Sequence, residues 1–223
     1  MWVAMTACAV PPGTSELRPT WRGWLHAVAF LAAIPGSVLL VTRAHHASAR
    51  FASVVYGCGM LFCFGTSAAY HRLARSPRVR QVMRRMDHSM IFVLIAASYT
   101  PLCLLGLPGT WGVPLLCVVS GGAALGIALK QLAFARFRLV EHALYGGLGG
   151  AVVLTTPALV RSLTAAELSL LLASGTLYAL GVPVLKRGRP DPWPATFGYH
   201  EVWHAATVLA GLCHFALVGL LVL

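Results

Sequence analysis

The chain has 223 residues, of which 58% are hydrophobic and only 10% are charged, and its formal net charge is +11. Because a soluble domain carries about 25% charged residues, this composition excludes an ordinary soluble globular protein. It indicates a protein embedded in a lipid bilayer.

Seven apolar segments are long enough to cross the hydrocarbon layer, which takes about 20 residues of helix. They are residues 24–41, 51–70, 90–107, 111–129, 140–159, 168–185 and 199–223. The first 17 residues lack the basic region of a signal peptide, so we interpret residues 1–20 as a short N-terminal tail. We predict an all-α membrane protein in which residues 21–223 form a single seven-helix bundle.

Lysine and arginine are distributed unevenly between the two sides of the predicted bundle. The N-terminus and the connections after the second, fourth and sixth segments hold 14 of them, and the other connections hold 3. The positive-inside rule therefore predicts a cytoplasmic N-terminus and a C-terminus outside. The basic connections are expected to face anionic lipid headgroups, so we do not predict binding to nucleic acid.

Four polar residues lie near the ends of the apolar segments, all on the predicted cytoplasmic side. His71 follows the second segment, Asp87 precedes the third, and His200 and His204 open the seventh. Ionisable groups in membrane segments are costly and indicate function by default. Residues four apart on a helix share one surface, which pairs His200 with His204 and Ser67 with His71. Three histidines and a carboxylate suit a catalytic zinc ion and its water, so we predict a zinc site.

These residues also have simpler interpretations. Asp87 is a preferred N-cap residue and could cap the third helix, and His71 could place its ring among the lipid headgroups. Of the other histidines, two lie on the predicted cytoplasmic side and are candidates for indirect contacts: His88 and His142. The rest are not expected to be ligands: His26, His45, His46 and His214, the last about 15 Å beyond His204 along a helix.

Residues 200–204 also fit the HExxH pattern of zinc proteases, in which the glutamate is the general base. No Asp or Glu follows Glu201, and Ala210 stands six positions after His204. The third ligand must therefore come from elsewhere, and His71 can supply it. The two patterns then share one ion, and water is activated by either Asp87 or Glu201. We favour Asp87.

Four short motifs within residues 20–223 resemble those of the hemolysin III proteins, which share a seven-helix superfamily with the adiponectin and progestin receptors. The motifs are SAAYH at 67–71, RMDH at 85–88, YTP at 99–101 and HEVWH at 200–204. The resemblance implies zinc held by His71, His200 and His204, with Asp87 in contact with the zinc's water. It also implies a place in the bacterial cell membrane. The receptors of this superfamily are associated with ceramide hydrolysis, and its bacterial members were described as pore-forming haemolysins.

Two functions therefore compete. In the first, the chain is a zinc-dependent hydrolase of a lipid amide or ester, with Asp87 as general acid–base and Ser67 as a hydrogen-bonding partner of a ligand or of the water. The membrane lipid would enter sideways between helices. In the second, the chain forms pores and zinc only ties helices together, although few polar residues would line such a pore. A receptor role is third, because no ectodomain is present. We rank the hydrolase first.

Overall fold

The computed structural model describes residues 19–133 and 138–222, so the predicted tail lies outside the described residues as far as residue 18. The α-helices in the described part are α1 (Trp24–Arg43), α2 (Ala47–Leu73), α3 (Pro77–Pro101), α4 (Gly109–Ala133), α5 (Arg138–Gly150), α6 (Thr156–Ser162), α7 (Ala165–Arg187) and α8 (Tyr199–Val222), and a π-helical turn, Leu102–Gly106, continues α3. They form seven spans long and apolar enough to cross a membrane. The predicted all-α, seven-helix class is confirmed.

The third span begins 13 residues earlier than the apolar pattern predicts, because α3 starts at Pro77 rather than at residue 90. Ser76 caps it, and its hydroxyl oxygen accepts a hydrogen bond from the backbone nitrogen of Val79 at 3.2 Å. Proline is favourable at the first helical position. Asp87 therefore lies inside α3, almost three turns from its start, and the N-cap interpretation of Asp87 is wrong.

The fifth span is not one continuous α-helix. A 3₁₀ segment, Ala151–Thr155, joins α5 to α6. The Tyr99 hydroxyl donates to the carbonyl oxygen of Leu148 at 2.8 Å and accepts from the backbone nitrogen of Val152 at 2.9 Å. Within a bilayer, a freed backbone group must find its partner inside the protein. Tyr99 of the YTP motif supplies that partner, so the motif supports the fold at this point.

Each of the first four spans packs against the next one in the chain, and α8 packs against both α7 and α1. The helix α8 also contacts α2 and α3. A large core cluster lies among α1, α2 and α8 and includes Tyr56, Phe64 and Val218. Large apolar side chains also point outward, as in Leu132 and Leu139, each 86% exposed. A helix that is apolar on all sides is expected in lipid.

The residues before α1 fasten its start to the connection between α7 and α8. The backbone nitrogens of Thr20 and Trp21 donate to the carbonyl oxygens of Ala195 and Thr196, each at 3.1 Å. The Arg72 guanidinium, near the end of α2, lies 3.7 Å from the centroid of the Trp24 ring. The starts of α1 and α8 and the end of α2 therefore meet at one end of the bundle, here called the site end.

Candidate metal centre

Three imidazoles converge at the site end. His71 lies in the last turn of α2, and His200 and His204 lie in the first two turns of α8. One ligand nitrogen from each histidine lies within 4.8 Å of the other two. The Nε2 atoms of His71 and His200 are 3.2 Å apart. A tetrahedral zinc ion with Zn–N bonds of about 2.0–2.1 Å places its nitrogens about 3.3 Å apart, so this spacing fits one ion.

His204 carries the clearest sign of a missing partner. Its side chain is 1% exposed, and neither ring nitrogen has a hydrogen-bond partner among the described residues. Buried polar atoms in proteins are nearly always paired. A metal ion bound to one of these nitrogens would therefore offset the free-energy cost of burying it unpaired. Three neutral imidazoles with a fourth position open are the donor set of catalytic zinc. The residues present therefore fit a zinc ion.

The side chain of Asp87, in α3, interacts with a residue of α2 and lies outside the histidine cluster. Ser67 is buried one helical turn before His71, and its side chain interacts with the Asp87 side chain. Asp87 does not belong to the three-histidine group that the described residues form. Asp87 therefore interacts with a residue one helical turn from His71 and lies outside the histidine group itself.

Glu201 is occupied by structural contacts. Its side chain is 1% exposed, and Oε1 lies 2.5 Å from the Nε atom of Arg22. Its other oxygen, Oε2, accepts a hydrogen bond from the backbone nitrogen of Gly198 at 2.9 Å. Glu201 therefore pairs with a cation from the segment before α1 and satisfies a backbone donor at the start of α8. Such donors have no partner within the helix.

The start of α1 contributes two residues that the spacing patterns did not identify. Gly23 has a φ of 82°, and a Cβ atom added there would lie 2.7 Å from the Cβ of His71. His26 was not expected to be a ligand, and it is outside the ligand group, but its ring lies against that of His204. A lone histidine has no spacing partner to mark it. The cost of an ionisable group in an apolar segment is the signal that would have found it.

The remaining histidines lie outside the cluster: His45, His46, His88, His142 and His214. His214 is buried, and its Nε2 lies 3.1 Å from the carbonyl oxygen of Ser98. His142 is exposed, and so are His45 and His46 between α1 and α2. The side chain of His88 is half-buried, and its carbonyl oxygen accepts from Tyr145. The predicted indirect role of His88 and His142 stays a prediction.

Comparison with known proteins gives a consistent result. The family model described as Haemolysin-III related matches residues 14–215. The hemolysin-3 homolog of Bacillus subtilis (strain 168) is 31% identical over 183 residues, which are 81% of this chain and 83% of the relative. Hemolysin-3 of Bacillus cereus is 31% identical over 182 residues, 80% of each chain.

A plant protein is also similar. Heptahelical transmembrane protein ADIPOR1 of Oryza sativa subsp. japonica is 30% identical over 179 residues, which are 73% of this chain and 47% of the plant protein. This relative places the chain in the superfamily of the progestin and adiponectin receptors, as the motifs predicted. The seven spans and the Bacillus relatives identify a multi-pass bacterial membrane protein. The chain belongs to the haemolysin-III-related family.

Proposed function

We propose that this protein is a membrane-integral, zinc-dependent hydrolase that cleaves a lipid amide or ester. The observation that carries the proposal is His204, which is buried with both ring nitrogens unpaired among the described residues and stands beside the imidazoles of His71 and His200. A buried donor set of this kind is costly unless it binds a ligand. Zinc is the proposed ion because three imidazoles with an open fourth position are its usual catalytic environment.

Each residue then has a defined task. His71, His200 and His204 hold the ion, which when bound acts as a Lewis acid and lowers the pKa of a coordinated water to about 7. Asp87 takes a proton from the attacking water and returns one to the leaving group. The interaction of Ser67 with the Asp87 carboxylate keeps that carboxylate next to α2. Because Ser67 and His71 are one turn apart on the same helix, the base and the ligands are positioned together.

Two observations favour Asp87 over Glu201 as the base. Both oxygens of Glu201 are already engaged, one by Arg22 and one by the backbone of Gly198. Taking a proton at Glu201 would remove the charge that its pairing with Arg22 requires. Asp87 is half-buried, and the side chain shown to interact with it is the neutral hydroxyl of Ser67 rather than a cation.

The substrate is proposed to be a lipid because the cluster lies at the end of a bundle that spans the bilayer. Lipid amide and ester carbonyls lie near the boundary between headgroups and acyl chains, which is the depth of a cluster in the end turns of α2 and α8. A lipid would reach the cluster sideways between helices. We propose that the site end faces the cytoplasm, because 14 of the 17 basic residues lie on that side of the bundle.

A second candidate is a pore-forming or cytolytic protein in which zinc is a structural clamp. The names of the Bacillus relatives, hemolysin-3 homolog and hemolysin-3, favour this alternative. The geometry is also compatible with a clamp, because the three ligands come from only two helices, α2 and α8. A zinc ion there would join those helices whether or not a substrate is cleaved.

The test combines a metal measurement with two activity assays on purified protein. Zinc content is measured by mass spectrometry, hydrolysis is screened with ceramides and with glycerophospholipids, and leakage is followed with dye-loaded liposomes. The hydrolase proposal predicts bound zinc, turnover of at least one lipid, and loss of turnover in Asp87→Asn. Leakage without turnover would favour the pore, and a wild-type protein without zinc would contradict the metal site itself.

A further inference from the structure

The ring of His26 lies flat against the ring of His204. Their centroids are 3.8 Å apart and their planes differ by 5°. Both side chains are buried, at 4% and 1% exposure. His26 comes from the first turn of α1, which is a different helix from those that carry the three clustered imidazoles. The stack therefore brings a third helix into contact with the candidate metal centre.

A short hydrogen-bond chain fixes the orientation of His26. The Thr207 hydroxyl donates to the carbonyl oxygen of His204 at 2.8 Å. Its oxygen lies 3.1 Å from Nε2 of His26. Since a threonine hydroxyl has one proton, the Thr207 oxygen must accept from His26, which assigns the hydrogen of His26 to Nε2. The His26 ring is thus anchored to the same turn of α8 that carries His204.

His204 lacks the usual means of orienting a metal ligand. A ligating histidine almost always donates its second ring N–H to a carboxylate, a carbonyl oxygen or a water, which fixes the plane of the ring. Neither nitrogen of His204 has such an acceptor among the described residues. The ring of His26 is stacked parallel to the ring of His204, whereas the rings of His71, His200 and Trp203 meet it at steep angles. The stacked His26 ring also excludes water from that face of the His204 ring.

We infer that His26 is a positioning residue for the metal, holding the His204 imidazole in its ligating orientation by stacking rather than by hydrogen bonding. The inference rests on the proposed zinc site and adds to it a residue from α1. The feature of His26 that matters in this role is its aromatic ring. The hydrogen bond to Thr207 serves to aim that ring.

The test measures zinc affinity in three variants, by competition with a chelator in detergent. His26→Leu removes the flat ring and keeps an apolar side chain. His26→Phe keeps the ring, and it loses the same hydrogen bond to Thr207 as His26→Leu does, so the pair isolates the stack. His26→Gln is a second variant without a ring, in case the leucine variant does not fold. Cobalt-substituted protein provides an absorption spectrum that reports ligand geometry independently of activity.

We expect His26→Leu and His26→Gln to bind zinc about 10–100-fold more weakly, the usual effect of removing a group that orients a ligand, with an altered cobalt spectrum. His26→Phe should stay within a few-fold of wild type. Wild-type affinity and spectrum in both ringless variants would overturn the inference and leave the zinc site standing. Equal weakening in His26→Phe would overturn the role of the stack. A wild-type protein that binds no zinc would overturn the inference together with the proposed function.

Discussion

The Oε1 atom of Glu201 lies 2.5 Å from the Nε atom of Arg22, joining the start of α8 to the segment before α1. The other Glu201 oxygen accepts from the backbone nitrogen of Gly198. A carboxylate placed in this way orders the start of α8, which carries His200 and His204. The glutamate of the HExxH pattern therefore has a structural explanation that does not involve water activation.

Glu201→Gln should destabilise the protein and leave its chemistry largely intact. Glutamine can still accept from Gly198, but it removes the negative partner of Arg22, and a hydrogen bond to a charged group is worth about 1.5–3 kcal/mol. We expect a lower thermal unfolding midpoint in detergent. At temperatures well below that midpoint, the variant should keep its zinc content and its turnover. Arg22→Gln is the matched control and should lower the midpoint similarly. If the unfolding midpoint of the double variant fell by the sum of the two single decreases, the two residues would not be coupled.

Zinc retention should depend on the clustered histidines and not on buried histidines in general. The wild-type protein should hold about one zinc per chain, and His200→Ala or His204→Ala should lose most of it on dialysis, because a three-histidine site has no substitute for a lost ligand. His214→Ala is the control, since His214 is also buried in α8 but interacts with Ser98. Full zinc content in both ligand variants would contradict the assignment, and so would loss of zinc in the His214 variant alone.

Gly23→Ala should disturb the metal centre from outside it. The left-handed φ of 82° at Gly23 disfavours a side chain, and the new Cβ would lie 2.7 Å from that of His71. Left-handed backbone costs an ordinary residue about 1–2 kcal/mol, and relieving the clash requires His71 or α1 to move. We expect a lower unfolding midpoint and weaker zinc binding. Gly146→Ala is the control, because nothing lies within 4 Å of a Cβ added there. It should match wild type in zinc affinity.

The orientation of the bundle is tested by reporter fusions. Because 14 of 17 basic residues lie on one side, we expect alkaline phosphatase fused to the C-terminus to be active outside the cytoplasm, and green fluorescent protein at the same place to be dark. A fusion after Arg75, which follows the second span, should give the opposite result. A fluorescent C-terminal fusion would place the site end at the outer face and remove the argument for a cytoplasmic substrate.

Much of the fold could be predicted from the sequence because a membrane span needs a long apolar run, and seven such runs are present. The start of α3 could not, because arginines between residues 78 and 85 end the apolar run while Ser76 and Pro77 still favour a helix start. Hydropathy locates the lipid-facing part of a helix and not its end. The break in the fifth span was also missed, since it depends on the Tyr99 hydroxyl from another helix.

The residues of the candidate site could also be predicted only in part. His200 and His204 are paired by a local spacing, and the structure brings His71 next to them, as the shared membrane face predicted. His26 and Arg22 are remote in the sequence from α8, and their contacts arise only because α1 packs against α8. Stacking and ion pairing between distant helices leave no periodic signal in a single sequence. These contacts are also the ones that we propose hold the clustered histidines in position.

The last prediction separates catalysis from structure at Asp87. Asn has nearly the same shape as Asp and can still accept a hydrogen bond from Ser67, so Asp87→Asn should fold, and it should retain zinc because Asp87 is outside the histidine group. It removes the base, and general acid–base catalysis contributes about 10²–10⁴-fold to rate. We therefore expect a lipid-hydrolysis rate lower by about that factor, with an unchanged zinc content and unfolding midpoint.

Two comparisons make this result specific to Asp87. Ser67→Ala removes the hydroxyl that holds the carboxylate but keeps the base, so its turnover should fall less than that of Asp87→Asn, because a carboxylate that is misplaced part of the time still accepts protons. Glu201→Gln, measured below its unfolding midpoint, should keep most of its turnover. The reverse order, with Glu201→Gln inactive and Asp87→Asn active, would assign the base to Glu201. If Asp87→Asn instead lost zinc, Asp87 would be a ligand, and the loss of turnover would no longer report on proton transfer.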